Sequence, residues 1–218
     1  MYKYLLFDLD GTLTDPKEGI TRSVRHALLY FGIDVPAEEL TVFIGPPLRE
    51  QFMSYANLSF EDGNRAVAYY RERYADIGIF ENRVLDGIPE LLTKLKAQGY
   101  TLCVSSSKPE LFVKKILDAY YLTDFFTVIC GAEMDGTRTV KADVIKETLR
   151  RLDYRGDKHD ILMIGDRIHD LEGAHVCGVD ALGVSFGYAP EGEFEEAMKH
   201  LDNVRGVADT PADILSFL

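Results

Sequence analysis

An apolar run, Tyr4-Leu5-Leu6-Phe7, stops at a carboxylate, Asp8, and a second carboxylate, Asp10, follows two positions later before Gly11 and Thr12 open a turn. A short continuous apolar stretch bounded by turn residues reads as a buried strand. What constrains the fold is the sequence after it. Asp15-Pro16-Lys17-Glu18 offers a helix N-cap, a proline at the first helical position and a glutamate at the third. Ile20, Val24, Ala27, Leu28 and Phe31 then form one apolar face, and Gly32 ends the helix. Pro36 opens a short helix through Leu40, and Pro46-Pro47 opens another through Phe52 and Tyr55. Ser59 caps a fourth, with Ala66, Val67, Tyr70 and Tyr74 on one side. Four helices and no strand are therefore expected between Asp15 and Arg83. The first strand has nothing local to pair with, so it must join strands that lie beyond Val84.

Those strands are legible. From Val84 onward helices alternate with short apolar runs: Thr101–Ser105, Phe126–Cys130, Ile161–Ile164 and, as the last clear strand, Ala181–Ser185. Helices between them are opened by Pro89, Pro109 and Lys141, and a short one runs from Leu171 to Cys177. This alternation implies an α/β fold, a parallel sheet covered by helices on both faces. The expected domains are a core made of residues 1–14 and 84–218 and a helical insertion over residues 15–83.

Composition narrows the partners. A hydrophobic fraction of 46% suffices for a packed core and argues against disorder. Lys and Arg number 24 against 36 Asp and Glu, a net charge of −12, which disfavours nucleic-acid polymers and anionic membranes but not a small phosphorylated ligand held by a local cation. Cys103, Cys130 and Cys177 match neither a zinc spacing nor a disulfide framework, and read as buried thiols. No stretch approaches the ~20 apolar residues of a membrane span, and the start lacks a signal segment, so a cytoplasmic location is expected, as a monomer or homodimer.

In a parallel sheet the residues just past each strand gather along one edge, where open α/β sheets bind ligands. There the strands deliver Asp8 and Asp10, then Ser105, Ser106, Ser107 and Lys108, then Lys141 at the head of a helix, then Gly165-Asp166-Arg167-Ile168-His169-Asp170. Asp8, Asp166 and Asp170 are hard oxygen ligands of the kind Mg2+ prefers. A serine hydroxyl and the amides behind it suit phosphate oxygens, and Lys141 supplies a point charge. These parts together serve phosphoryl transfer, which is largely positioning and charge neutralisation. Taken singly, each has a plain structural use: a turn for Asp166, a helix cap for Asp170, a solvated position for His169.

In that order, the motif Asp8-Leu9-Asp10-Gly11-Thr12, the serine turn, Lys141 and Gly165-Asp166-Arg167-Ile168-His169-Asp170 resemble the four motifs of the haloacid dehalogenase-like hydrolase superfamily. The resemblance is closest to its phosphoglycolate phosphatase and 5′-nucleotidase-like branch, and spans nearly the whole chain. It implies a Rossmann-like core with an inserted four-helix cap, and a Mg2+-dependent phosphatase of small monoesters. By that resemblance Asp8 is the nucleophile that forms an aspartyl-phosphate, and Asp10 the general acid and base. Asp8, the main-chain carbonyl of Asp10, and Asp166 hold Mg2+, with Asp170 acting directly or through water. The phosphate-binding hydroxyl aligns on Ser106, with Ser107 offering an amide and Ser105 a rival one residue away. In the insertion, Gly45 and Arg49 of the segment Ile44–Arg49 are the candidates for substrate contact, set against a reading in which the prolines merely start a helix and Arg49 is solvated. A phosphomutase, in which Val commonly replaces Thr at the position of Thr12, and a noncatalytic ligand-binding protein are the alternative classes.

Overall fold

The computed structural model describes residues 2–218 and divides into two compact units, Met1–Thr14 with Val84–Leu218, and Asp15–Arg83. The chain opens with β1 (Tyr4–Phe7), turns, and leaves the first unit through β2 (Thr14–Asp15). The second unit contains three α-helices, α1 (Lys17–Leu29), α2 (Leu48–Ala56) and α3 (Phe60–Tyr74), and two 3-10 segments, Ala37–Phe43 and Gly78–Phe80. The chain returns through β3 (Arg83–Val84), which pairs with β2 in a two-stranded ribbon. Then follow α4 (Ile88–Ala97), β4 (Thr101–Pro109), α5 (Glu110–Ala119), β5 (Val128–Ala132), α6 (Lys141–Arg151), β6 (Ile161–Gly165), α7 (Ile168–Cys177), β7 (Asp180–Val184), α8 (Glu193–Ala197) and β8 (Val204–Ala208).

The helical unit is built around Leu28, Leu40, Phe43, Phe52 and Tyr74, all buried, with the Phe43 and Phe52 rings 4.9 Å apart. α3 starts as its sequence demands: the Ser59 hydroxyl accepts the Asp62 N–H at 3.1 Å. The short helix expected after Pro36 is present as a 3-10 one, in which Leu40 leaves helical dihedrals. One expectation is corrected. Asp15 is not the N-cap of α1; Pro16 is, with no side-chain cap. Asp15 is drawn into the ribbon instead, where its Oδ2 pairs with Arg83 at 2.8 Å and its Oδ1 accepts the Lys17 N–H.

The sheet runs β5-β4-β1-β6-β7-β8, and its pairings are parallel. β1 therefore lies inside the sheet, between β4 and β6. Successive strand residues face opposite sides. On one side Leu6, Cys103, Met163 and Ala181 pack with Ile145 of α6 and Leu171 and Ala174 of α7. Their neighbours Leu5, Phe7, Leu102, Val104, Leu162 and Ile164 are equally buried, so both faces are covered and the strands read as unbroken apolar runs. β8 goes beyond the sequence reading. Arg205 and Gly206 interrupt its apolar pattern, which is why an edge strand there carries no clear signal. The three cysteines are free and buried, and burial pushes the Cys103 thiol up to about 12, leaving it inert. Among the described residues no helix is long and apolar enough to cross a membrane.

Leu6 belongs to the core cluster between the sheet and α6 and α7 and has no exposure. Leu6→Ala should cost about 2–5 kcal/mol in chemical denaturation, and Leu6→Met less than about 1.5 kcal/mol. Equal midpoints for wild type and Leu6→Ala would show that the core does not rest on this strand.

Candidate active site

Register gathers the site. Phe7 is the partner of Val104 on one side and of Ile164 on the other, so the residues that follow each of them lie at the same level of the sheet edge. β1 is also where the connections diverge, β4 to one side and β6 to the other, the place at which such sheets open a crevice. The Asp8 N–H still donates to Ile164 O at 2.9 Å, which holds the first carboxylate at the strand end. Beyond it the chain wraps tightly. Leu9 O accepts the N–H groups of Thr12, Leu13 and Thr14, and Gly11 takes a φ of +79°, the left-handed region open to glycine.

Gly11 is needed for a second reason. A Cβ at that position would lie 2.0 Å from Asp166 Oδ2, and one at Gly187 would lie 2.3 Å from Asp166 Cβ. Two loops thus close on Asp166 without side chains, and the Tyr188 N–H donates to its Oδ2 at 2.8 Å. Asp166 is buried by this enclosure.

The expected turn at Ser105–Ser107 is strand instead, since β4 runs on through Pro109, and within it the two rival serines have different fates. Thr148 donates to Val144 O at 2.9 Å, so the contact of 2.7 Å between Thr148 Oγ1 and Ser105 Oγ uses the Ser105 proton. Ser105 is spent on packing α6 against β4. Ser106, also buried, only accepts, from the Lys108 N–H at 3.3 Å, and keeps its hydroxyl proton for another acceptor. Ser107 beside it is half-buried.

Lys141 begins α6 and is buried. An ammonium has three protons to donate. Its Nζ lies 2.9 Å from Ser105 O, 3.0 Å from Asp8 Oδ1 and 2.7 Å from Asp170 Oδ1. Burial works against its charge, but the Asp170 and Asp8 carboxylates more than offset that and hold its pKa above the ordinary lysine value. Asp170 is not the N-cap of α7. It is the third helical residue, its Oδ2 accepting the Arg167 N–H at 3.1 Å, which aims Oδ1 at Lys141. His169 is half-exposed, its Nδ1 3.9 Å from Glu172 Oε2.

Asp8, Asp166 and Asp170 offer carboxylate oxygens that all lie within 4.8 Å of one another. Crowding is costly. Burial first, then the charges of Asp170 and Asp8, push Asp166 well above the usual carboxylate range. Burial likewise pushes Asp170 up to about 6, with Lys141 pulling the other way. A hard divalent cation would relieve this repulsion, and an all-carboxylate donor set suits such an ion. Asp10 stands apart from the trio. Its Oδ2 is 2.5 Å from Lys108 Nζ, and burial raises its pKa against the pull of that ammonium. Lys108 was visible in the sequence as part of the serine turn, but its link to Asp10 was not, since nothing in linear spacing shows that β4 and the Asp8–Asp10 loop face each other.

The cluster consists wholly of residues of the α/β unit. Gly45 and Arg49 belong to the helical unit. There Gly45 has a φ of +103°, and the Arg49 guanidinium pairs with Glu50 at 2.5 Å and lies 4.8 Å over the Phe60 ring.

A family model, haloacid dehalogenase-like hydrolase, matches residues 5–184. The chain belongs to that family. A 5′-nucleotidase of Pseudomonas aeruginosa is 48% identical over 194 residues, 88% of this chain and 86% of that protein. The tyrosine-protein kinase PtkA of Mycobacterium tuberculosis is 40% identical over 185 residues, 84% of this chain but 62% of its own length. Among solved structures, a predicted phosphatase from Clostridium acetobutylicum superposes with a TM-score of 0.90 at 40% identity, covering 99% of both chains. The chain is thus a haloacid dehalogenase-like enzyme of the phosphatase type, with the α/β core and helical region of that family.

The crowded carboxylates set a stability test. A carboxyl whose pKa is raised on folding holds protons that the unfolded chain has released, so its contribution to stability falls as pH rises above the ordinary value near 4. In EDTA, Asp166→Asn should therefore be more stable than wild type at pH 7, with the gap closing toward pH 4. A thermal-denaturation series with the wild type the more stable at pH 7 would contradict the electrostatic account.

Proposed function

We propose that the protein is a Mg2+-dependent phosphatase of small phosphate monoesters, acting on the 5′-nucleotide type, through an aspartyl-phosphate on Asp8. The observation that carries this reading is the position of Asp8, with its Oδ1 3.0 Å from a buried lysine, a carboxylate oxygen within 4.8 Å of those of Asp166 and Asp170, and Asp10 two residues away. Asp8, Asp166 and Asp170 would hold the metal, which when bound neutralises phosphate charge and relieves the carboxylate crowding.

The remaining roles fall to the chain. Asp8 attacks phosphorus and displaces the ester oxygen, and Asp10 donates a proton to that oxygen as it leaves. Water then attacks the phosphorus of the aspartyl-phosphate, Asp10 takes its proton, and Asp8 is released with inorganic phosphate. Lys141 keeps the Asp8 carboxylate oriented and balances charge on the phosphoryl group. The Ser106 hydroxyl and the Ser107 amide bind phosphate oxygens that do not leave. Substrate choice is assigned to the helical unit, with Gly45 and Arg49 as its candidates. The 5′-nucleotide preference over phosphoglycolate is supported by the name of the 48% identical relative.

The test is phosphate release by the purified protein with Mg2+ across nucleoside 5′-monophosphates, phosphoglycolate, sugar phosphates and pyrophosphate. Nucleotides should turn over best, EDTA should stop the reaction reversibly, and Asp8→Asn should lower turnover by at least about 10^3-fold with the fold intact. Substantial hydrolysis by Asp8→Asn, or phosphate retained on a tyrosine instead of released, would overturn the reading.

A further inference from the structure

Lys108 is a charged side chain of the site to which the proposed reaction gives no part. It lies near the end of β4, two residues after Ser106, where pairing with β5 shifts register between Ser105 and Pro109. Such an irregularity re-aims side chains beside a site. Here it sends a lysine across to the loop after β1. The Lys108 side chain is 7% exposed and its Nζ lies 2.5 Å from Asp10 Oδ2. The other oxygen, Asp10 Oδ1, is buried and has no hydrogen-bond partner among the described residues. Lys108 is thus the only hydrogen-bond partner of this carboxylate there, and it alone fixes how the carboxylate is turned.

We propose that Lys108 is the positioning residue of the proton-transfer step, holding the Asp10 carboxyl group toward the leaving oxygen of the substrate. This rests on the phosphatase reading and on the part given there to Asp10. No new bond is involved. The proton passes from Asp10 to the departing alkoxide as the phosphorus–oxygen bond breaks, and Lys108 keeps its own protons throughout. A lysine that merely neutralised a buried acid would support folding and nothing else. A lysine that gripped the phosphate would matter equally for every ester. A lysine acting through the acid matters in proportion to how much help the leaving group needs.

That difference is measurable as kcat/KM, which for this scheme reports the steps through departure of the leaving group. Two substrates with the same phosphate are needed, a nucleoside 5′-monophosphate, which expels a poor alkoxide, and p-nitrophenyl phosphate, which expels a stabilised phenolate. Lys108→Met should lower kcat/KM for the nucleotide by about 10^2–10^4-fold, the usual contribution of general acid catalysis, and for the aryl ester by less than about 10-fold. Lys108→Arg, which keeps the charge but shifts it, should show the same split at smaller size and guards against a Met variant that does not fold. In an Asp10→Asn background, adding Lys108→Met should cause little further loss, because the two act as a unit. Equal losses on both esters, no loss on either, or full additivity with Asp10→Asn would overturn the proposal. If the wild type hydrolyses neither ester, it is the phosphatase reading that fails instead.

Discussion

The ammonium of Lys141 is the interaction on which the site depends. A buried cation is unstable unless paired, and a buried carboxylate has the same difficulty with the opposite sign. Lys141 settles both, since its ammonium is ion-paired with Asp8 and Asp170 and donates a hydrogen bond to a main-chain carbonyl of β4. The last contact matters as much as the ion pairs. Ser105 O belongs to the strand beside β1, so the lysine is tied to the sheet as well as to its counter-ions. Removal of that cation would leave three carboxylates facing one another with no compensation. The same crowding makes the cluster receptive to a divalent ion, because binding of an ion to the folded state draws on electrostatic repulsion already stored there.

Crowding of this kind persists only where the backbone cannot relax. β1 is bonded on both edges, and the residues of both its faces are buried. The strand therefore cannot retreat from the carboxylates it carries. Asp166 is fixed differently, by the absence of side chains at Gly11 and Gly187, whose backbones close around it. The Tyr188 amide completes the enclosure. A rigid sheet supplies position, and two bare loops supply proximity. Functional precision here depends on the core packing beneath it, as preorganised sites generally do.

Much of this was legible in the amino-acid sequence, and the exceptions have physical causes. The strands that carry the site are buried on both faces, so their apolar runs are continuous and their ends are marked by acids and hydroxyls. β8 escaped because an edge strand buries less and tolerates Arg205 and Gly206 in its middle. The N-cap of α1 moved because Asp15 had a competing partner in Arg83, sixty-eight positions away. The choice between Ser105 and Ser106 could not be made from spacing, since it turns on Thr148, which lies on α6 and claims the Ser105 hydroxyl. The role of Lys108 is hidden for the same reason, since its partner Asp10 lies on another strand's loop. In each case a local rule lost to a partner that only the tertiary fold supplies.

Asp8 and Asp10 share a loop and a functional group, and what distinguishes them is which lysine they meet. Asp8 faces Lys141 within a cluster of further carboxylates, a setting that keeps it oriented and offers a place for a cation. Asp10 meets Lys108 alone, outside that cluster, in a half-buried position that raises its affinity for a proton. A nucleophile must keep a lone pair exposed to phosphorus, and a general acid must hold a proton until the ester bond breaks. The chain leaves the strand at Asp8 and wraps around Leu9 O, which turns the two acids toward different neighbours and so toward different chemistry. The fold assigns roles to identical side chains by choosing their counter-ions, and in this sheet that choice is made by β4 and α6, the two elements that bring a lysine to the end of β1.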